Sequence, residues 1–201
     1  MINISVSPLI FNVCPHFAFS AIQCKVRNSP YNEELWQQIT EFSEIFASET
    51  TLNAINKLPN IFETREVYKK LGKDPNRYRP SAEALCRRIV KGIPLYQINT
   101  LVDLINLVSL KTRYSIGGFD ADIVEGDVML GVGKADEKFE AIGRGMLNIE
   151  GLPVYRDDIG AIGTPTSDEE RTKITPETTK LLMIINGYSG KKGLAEVTKW
   201  A

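Results

Sequence analysis

Apolar positions alternate from Phe17 through Phe19 and Ala21 to Val26, which predicts a strand. The period then changes. Leu35, Ile39, Phe42 and Phe46 recur at helical spacing and form one apolar face. Glu33, Glu34, Glu41 and Glu44 lie opposite and read as a solvated acidic face. Ser29-Pro30 reads as the start of this helix, with serine capping orphan amides and proline in the first helical position. A short helix is predicted over Phe62 to Leu71, stopped by Gly72. The irregular loop KDPNRYRP follows. Ser81 reads as the cap of a second helix, from Ala82 to about Lys91, ended by Gly92. A third begins at Asn99 or Thr100. Leu101, Leu104, Ile105 and Val108 make it apolar on most sides, so it is expected to be buried.

Past Arg113 the glycines thicken at Gly117, Gly118, Gly126, Gly131 and Gly133. Short strands with tight turns fit there: Asp127 to Val132, Leu152 to Tyr155, Ile159 to Ile162 and Thr179 to Ile185. A short helix closes the chain over Gly190 to Ala201. The opening MINISVSPLIFNVCPHFAFS lacks a basic region and a long apolar run, so it reads as first strands and not as a leader. Strands at both ends with helices between predict an α+β fold, a sheet with helices packed against it. One domain is expected over residues 1–201. Residues 1–60 would supply the first strands and the acidic-faced helix, and 61–201 the core.

Composition agrees. Of 201 residues, 43% are hydrophobic and 24% charged, as in a globular protein able to bury a core. The apolar segment from Ile98 to Leu110 is too short for a membrane span and contains Asp103, so no membrane partner is expected. Cys14, Cys24 and Cys86 match no zinc or redox spacing and read as reduced thiols of a cytoplasmic protein. The sole histidine, His16, is far in sequence from the other candidate segments. That argues against Ser–His or Cys–His catalysis and against a histidine metal site. Asp157 and Asp158 are adjacent, so their carboxylates point apart on a strand. The glycines follow neither the Walker nor the Rossmann pattern. No metal or cofactor is expected, and oligomeric state carries no signal.

Charge changes the picture more. From Glu63 to Lys91 there are nine basic residues against four acidic ones, a local +5 in a chain of net charge −1. Tyr68 and Tyr78 sit among these cations. Cations neutralise phosphates and rings stack on unpaired bases, so the segment suits RNA, with Lys69, Lys70, Arg77, Arg79, Arg87 and Arg88 as contacts. The alternative is a solvated helix face with structural arginines paired to acidic groups elsewhere. Arg77-Tyr78-Arg79-Pro80-Ser81 stands just before a helix start, where anions are favoured.

Two further segments lack a packing explanation. Tyr114 to Asp120 contains adjacent glycines, which allow close backbone approach. Asp157 to Thr172 runs from a strand into a loop dense in hydroxyls and carboxylates.

Several strings carry a family resemblance. They are TREVYKKLGKDPNRYRPSAEALCRRIVKG from Thr64, INTLVDLINLVSLKTRYSIGGFD from Ile98, and GAIGTPTSDEERTKIT followed by TKLLMIIN. From Glu63 to Ile185 the chain resembles the B3/B4 domain, the aminoacyl-tRNA editing module of the bacterial phenylalanyl-tRNA synthetase β subunit, in freestanding form. The resemblance implies a B3/B4 core, tRNA as partner through its aminoacylated 3′ end, no cofactor, and hydrolysis of the ester of a mischarged aminoacyl-tRNA. Asn106 keeps the family asparagine, and Gly118 and Asp120 stand at the end of the same motif; for an ester hydrolase, Gly117, Gly160, Gly163 and Arg171 would complete the substrate pocket, and Thr164, Thr166, Ser167 and Asp168 would serve catalysis. Amides around Gly117-Gly118 and Gly163-Thr164 would face the oxyanion. The hydroxyls would hold water. Asp168 would orient that water or bind the substrate ammonium. Arg171 would pair with Asp168 or contact the terminal phosphate. A ribose hydroxyl would shuttle the proton.

The chain departs from the family where the synthetase domain reads tyrosine. The threonine before Asn106 is Ile105, the pocket histidine is Gly117 and its preceding proline is Ser115. The glutamate that reads the phenol falls near Thr166, with Asp168 the nearest carboxylate. A different amino acid or acyl group is implied. Two other readings stay open. One is a non-catalytic tRNA- or small-ligand-binding module, the other an enzyme acting on a free amino acid without RNA.

Overall fold

In a computed structural model, which describes residues 1–201, the chain runs β1 (Ile4–Val6), α1 (Pro8–Val13), β2 (Ala18–Lys25), α2 (Glu33–Glu49), α3 (Leu52–Ile55), α4 (Pro59–Lys70), α5 (Ser81–Val90), α6 (Thr100–Thr112), β3 (Ile116–Asp120), β4 (Val128–Val132), β5 (Glu140–Ala141), β6 (Gly145–Met146), β7 (Pro153–Arg156), β8 (Ala161–Gly163), β9 (Lys180–Gly187) and α7 (Leu194–Trp200). A single 3-10 turn, Glu170–Thr172, precedes β9.

Local chemistry sets the element ends. Ser7 caps α1 with Pro8 in its first turn, so the opening stretch divides into one strand and one helix. The cap of α2 is Asn32, whose Oδ1 accepts from the Leu35 amide at 2.9 Å. Ser29 and Pro30 lie outside that helix, contrary to the sequence expectation. The Ser29 hydroxyl meets Thr100 Oγ1 at 2.6 Å instead and ties the chain to α6. Ser81 is likewise not a cap. It is the first residue of α5, and its amide donates to the Pro165 carbonyl at 2.8 Å. That bond fastens the start of α5 to the loop after β8. Asn99 caps α6, so of the two expected starts Thr100 is the first helical residue, and Arg113 ends it in the left-handed region at φ 67°.

Two sheets result. One has the order β1-β4-β7-β8, with β1 and β4 parallel. The other has the order β2-β9-β3 and is antiparallel. Phe119, Leu130, Tyr155, Ile162, Leu182 and Ile184 share one buried cluster and join the sheets. Leu101, Ile105 and Val108 of α6 pack with Ile116, Met183 and Ile185 of the second sheet. Phe46, Ile55, Ile61, Cys86, Ile89 and Leu110 form a separate helical core. The first sixty residues are woven into these layers, since β1 pairs with β4 and β2 with β9 along its whole length. The molecule is thus α+β, with helices against sheets. No helix is long and apolar enough to cross a membrane.

The segment Tyr114 to Asp120 is mostly strand. β3 is buried at all five positions. With both faces covered there is no polar alternation to read.

Candidate functional site

A cavity of about 440 Å³ opens between α5, α6, β3 and the loops flanking the 3-10 turn. Val102, Ile105, Ile116 and Ile174 give it apolar walls, and Asn106, Gly118 and Asp168 also line it. A side chain would crowd its neighbours at two places. A Cβ on Gly118 would come within 2.6 Å of Ile105 Cδ1 and 3.1 Å of Ile174 Cδ1. A Cβ on Gly163 would meet Phe119 Cζ at 2.6 Å and Asp168 Oδ1 at 2.8 Å. The bare backbone there lets the Asp168 carboxyl lie against the sheet.

Asp168 has no cationic partner in the protein. Its Oδ2 accepts one hydrogen bond, from the Gly118 amide at 3.2 Å. The residue is half-buried, and its second carboxyl oxygen, without a protein partner, is open to the cavity. Burial pushes that carboxyl up to about 7, against the pull of the Gly118 amide. Asn106 and Ser81, also on the cavity wall, make no side-chain hydrogen bond within the protein, whereas Asn99 and Ser109 are engaged with backbone groups.

The loop after β8 is held by its own hydroxyls. Thr164 Oγ1 accepts from the amides of Thr166 and Ser167, each at 3.1 Å, and donates to the Ser167 carbonyl at 3.0 Å. That hydroxyl shapes the turn and is not free to hold water. The amides assigned to the oxyanion are also engaged: Gly118 donates to Asp168 and Thr164 to the Ser167 carbonyl. Ser167 Oγ reaches only the Asp168 carbonyl, at 3.4 Å. Thr166 Oγ1 shares a hydrogen bond of 2.9 Å with the fully buried Tyr68 hydroxyl.

Arg171 is corrected most clearly. It grips Asp157 with two hydrogen bonds, at 2.9 and 3.0 Å, and makes none to Asp168. Burial raises the Asp157 carboxyl, but the Arg171 bonds hold it below the usual carboxylate range. Gly160 donates to the same Asp157, at 3.1 Å, and is absent from the cavity wall. Asp120 accepts from Thr178 Oγ1 at 2.6 Å and acts as a loop anchor. A Cβ on Gly117 would run into the Phe119 ring at 2.7 Å, so this residue faces the inter-sheet core. Of the expected site, the structure gathers Asn106, Gly118 and Asp168 in the cavity.

A second cleft, of about 360 Å³, adjoins it and shares Ser81, Leu85 and Asn106 with the cavity wall. Arg79, Arg87, Arg88, Lys91 and Arg144 line this cleft, together with Thr166 and Tyr96. The Arg88 guanidinium lies 4.0 Å over the Tyr96 ring, which is 66% exposed. Glu83, 0% exposed, sets the arginines. It pairs with Arg65 at 2.8 Å, Arg87 at 2.7 Å and Arg79 at 3.6 Å. Arg65 is buried behind the cleft, whose lining has five cations and no acidic residue and so carries a positive surplus. The other expected RNA contacts lie elsewhere. Lys69 pairs with Glu66, Lys70 donates to the Val13 carbonyl, and Arg77 flanks Tyr78. Lys91 belongs to the basic segment without being one of its expected contacts, and Tyr96 and Arg144 lie outside that segment. Arg144 carried one faint signal, its place between two glycines that both take positive φ.

The B3/4 domain family model matches residues 63–194. The chain belongs to the B3/4 domain family. The match spans the cavity walls, Asp168 and all the basic residues of the cleft. Comparison with curated proteins gives no match. Among solved structures, the B3/4 chain is similar to an N-terminal fragment of the phenylalanyl-tRNA synthetase β-subunit from Pyrococcus horikoshii, at 14% identity and a TM-score of 0.44. That alignment covers 93% of this chain and 43% of the fragment, so the chain spans less than half the fragment's length.

Proposed function

We propose that this B3/4 protein binds the aminoacylated 3′ end of a tRNA and hydrolyses the ester of a mischarged amino acid. The observation that carries the reading is the junction of the two hollows. An apolar cavity with one unpaired carboxyl shares Ser81, Leu85 and Asn106 with a cleft lined by five cationic side chains. Phosphates suit the cleft and an aminoacyl group suits the cavity. Tyr96 offers a ring on which an unpaired base stacks.

The chemistry is addition of water to the acyl carbon, followed by cleavage of the bond to the ribose oxygen. The free Asn106 carboxamide donates to the acyl oxygen as negative charge develops. The neighbouring ribose hydroxyl relays the proton to the departing oxygen. Asp168 fixes the acyl group against β3. Thr166, held by Tyr68, forms part of the cleft wall. A non-catalytic binding module is the second reading, and the fully engaged Thr164 hydroxyl favours it.

Deacylation of a panel of mischarged tRNAs separates the two. Catalytic amounts of protein should release one class of amino acid, and Asp168→Ala should lose at least about 100-fold in rate. Unchanged turnover in that variant would remove Asp168 from the site. Tight tRNA binding with no release from any member would leave the binding module.

A further inference from the structure

Asp168, half-buried on the cavity wall, differs from the buried carboxylates of this protein. Glu83 meets three arginines, and Asp157 is gripped by Arg171. Asp120 accepts from Thr178, and Asp103 from the Trp36 indole at 2.7 Å and the Ile98 amide at 3.1 Å. Asp168 has the Gly118 amide alone, at 3.2 Å. A carboxylate on an apolar cavity wall with one neutral donor is left short of charge compensation.

The cavity supplies none. Its walls at Val102, Ile105, Ile116 and Ile174 are hydrocarbon. Lys173, the one cation on the lining, is exposed and forms its ion pair with Glu170. Compensation must therefore come from what enters. An aminoacyl ester brings a primary ammonium two bonds from the acyl carbon, and an ammonium carries one positive charge and three donors.

Resting on the reading above, we infer that the Asp168 carboxylate receives the α-ammonium of the bound aminoacyl group, so that the cavity selects acyl groups with a free amine and an apolar arm. The arm lies against the isoleucine walls. The ester then points to Asn106 at the junction with the basic cleft. Asp168 becomes the residue that tells an amino acid from a plain or N-blocked acyl group. Charge-assisted hydrogen bonds in a dry site give such a contact its strength.

The test is binding, measured by calorimetry, of three adenosines carrying a stable amide in place of the 3′ ester. They bear a leucyl group, an N-acetyl-leucyl group, and the 4-methylpentanoyl group, which keeps the shape and lacks the amine. The leucyl compound should bind at least about 10-fold more tightly than either of the others. In Asp168→Asn, a near-isosteric change, that gap should shrink to less than about 3-fold, with the amine-free compound binding both proteins alike. Equal binding of all three by the wild type would overturn the inference. So would a gap that persists in Asp168→Asn, or no binding by any. Release of amino acids in the tRNA panel together with equal binding here would sink only the ammonium contact. A clear gap here with no release there would sink only the hydrolase.

Discussion

Asp168→Asn raises the stability of the protein at pH 8 and leaves it nearly unchanged at pH 4. The cause is the environment of the carboxyl, lifted from an ordinary 3.8 to about 7 by burial. As pH rises above the unfolded value, the unfolded chain ionises first and the folded one resists. The folded state therefore loses stability from about pH 4 upward, and the loss is complete above about pH 7. Asparagine keeps the acceptor for the Gly118 amide and carries no charge. The expected gain at pH 8 is on the order of 1–3 kcal/mol, allowing for the partial exposure of the residue. Urea denaturation at the two pH values measures it. Equal stabilities of wild type and variant at both would mean that the carboxyl is not desolvated as described. The same variant should lose deacylation, the exchange of stability for function expected at a working site.

Glu83→Ala acts in the opposite direction and with a larger effect. The carboxylate is fully buried, and its removal leaves the Arg65 guanidinium, 8% exposed, without its counter-charge. Breaking such a buried pair from one side costs about 3–5 kcal/mol. For a protein of this size that lowers the melting temperature by roughly 10 °C. Arg79 and Arg87 also lose their anchor, so affinity for RNA should fall and its salt dependence should flatten. Arg87→Ala is the control. Its side chain is 22% exposed, and its removal should weaken RNA binding while costing no more than about 1 kcal/mol of stability. A Glu83→Ala protein as stable as the wild type would show that the arginines do not depend on that carboxylate.

Pattern reading found the elements whose periodicity is strong. α6 was plain because apolar residues fill most of its surface and Asn99 caps it. β9 was plain as a long apolar run. β3 was hidden because Gly117 and Gly118 resemble a turn, and only the tertiary contacts show why side chains are excluded there. The start of α2 was misplaced because Ser29 and Asn32 are both competent caps. Bonding of Ser29 to Thr100 leaves the role to Asn32.

The site divides the same way. Asn106, Gly118 and Asp168 sit in strings that carry the family pattern. Arg171 looked like a ligand for Asp168 because the two are neighbours in sequence, yet its partner Asp157 comes from the turn between β7 and β8. The basic segment pointed to a real cleft but not to its membership. Lys69 and Lys70 lie toward the far end of α4, while Tyr96 and Arg144 join from loops that charge counting passes over. Side chains gathered from separate loops leave no spacing to read.

On the proposed function, cavity and cleft hold one ligand, the aminoacylated end of an RNA. Titration of the labelled protein with a short RNA ending in a stable 3′-leucylamide, followed by amide chemical shifts, tests it most directly. The account predicts shifts at Gly118, Asp168 and Asn106 together with Arg88, Lys91 and Arg144, saturating at one RNA concentration. Shifts confined to the Lys69–Lys70 end of α4, with the cavity unmoved, would contradict it.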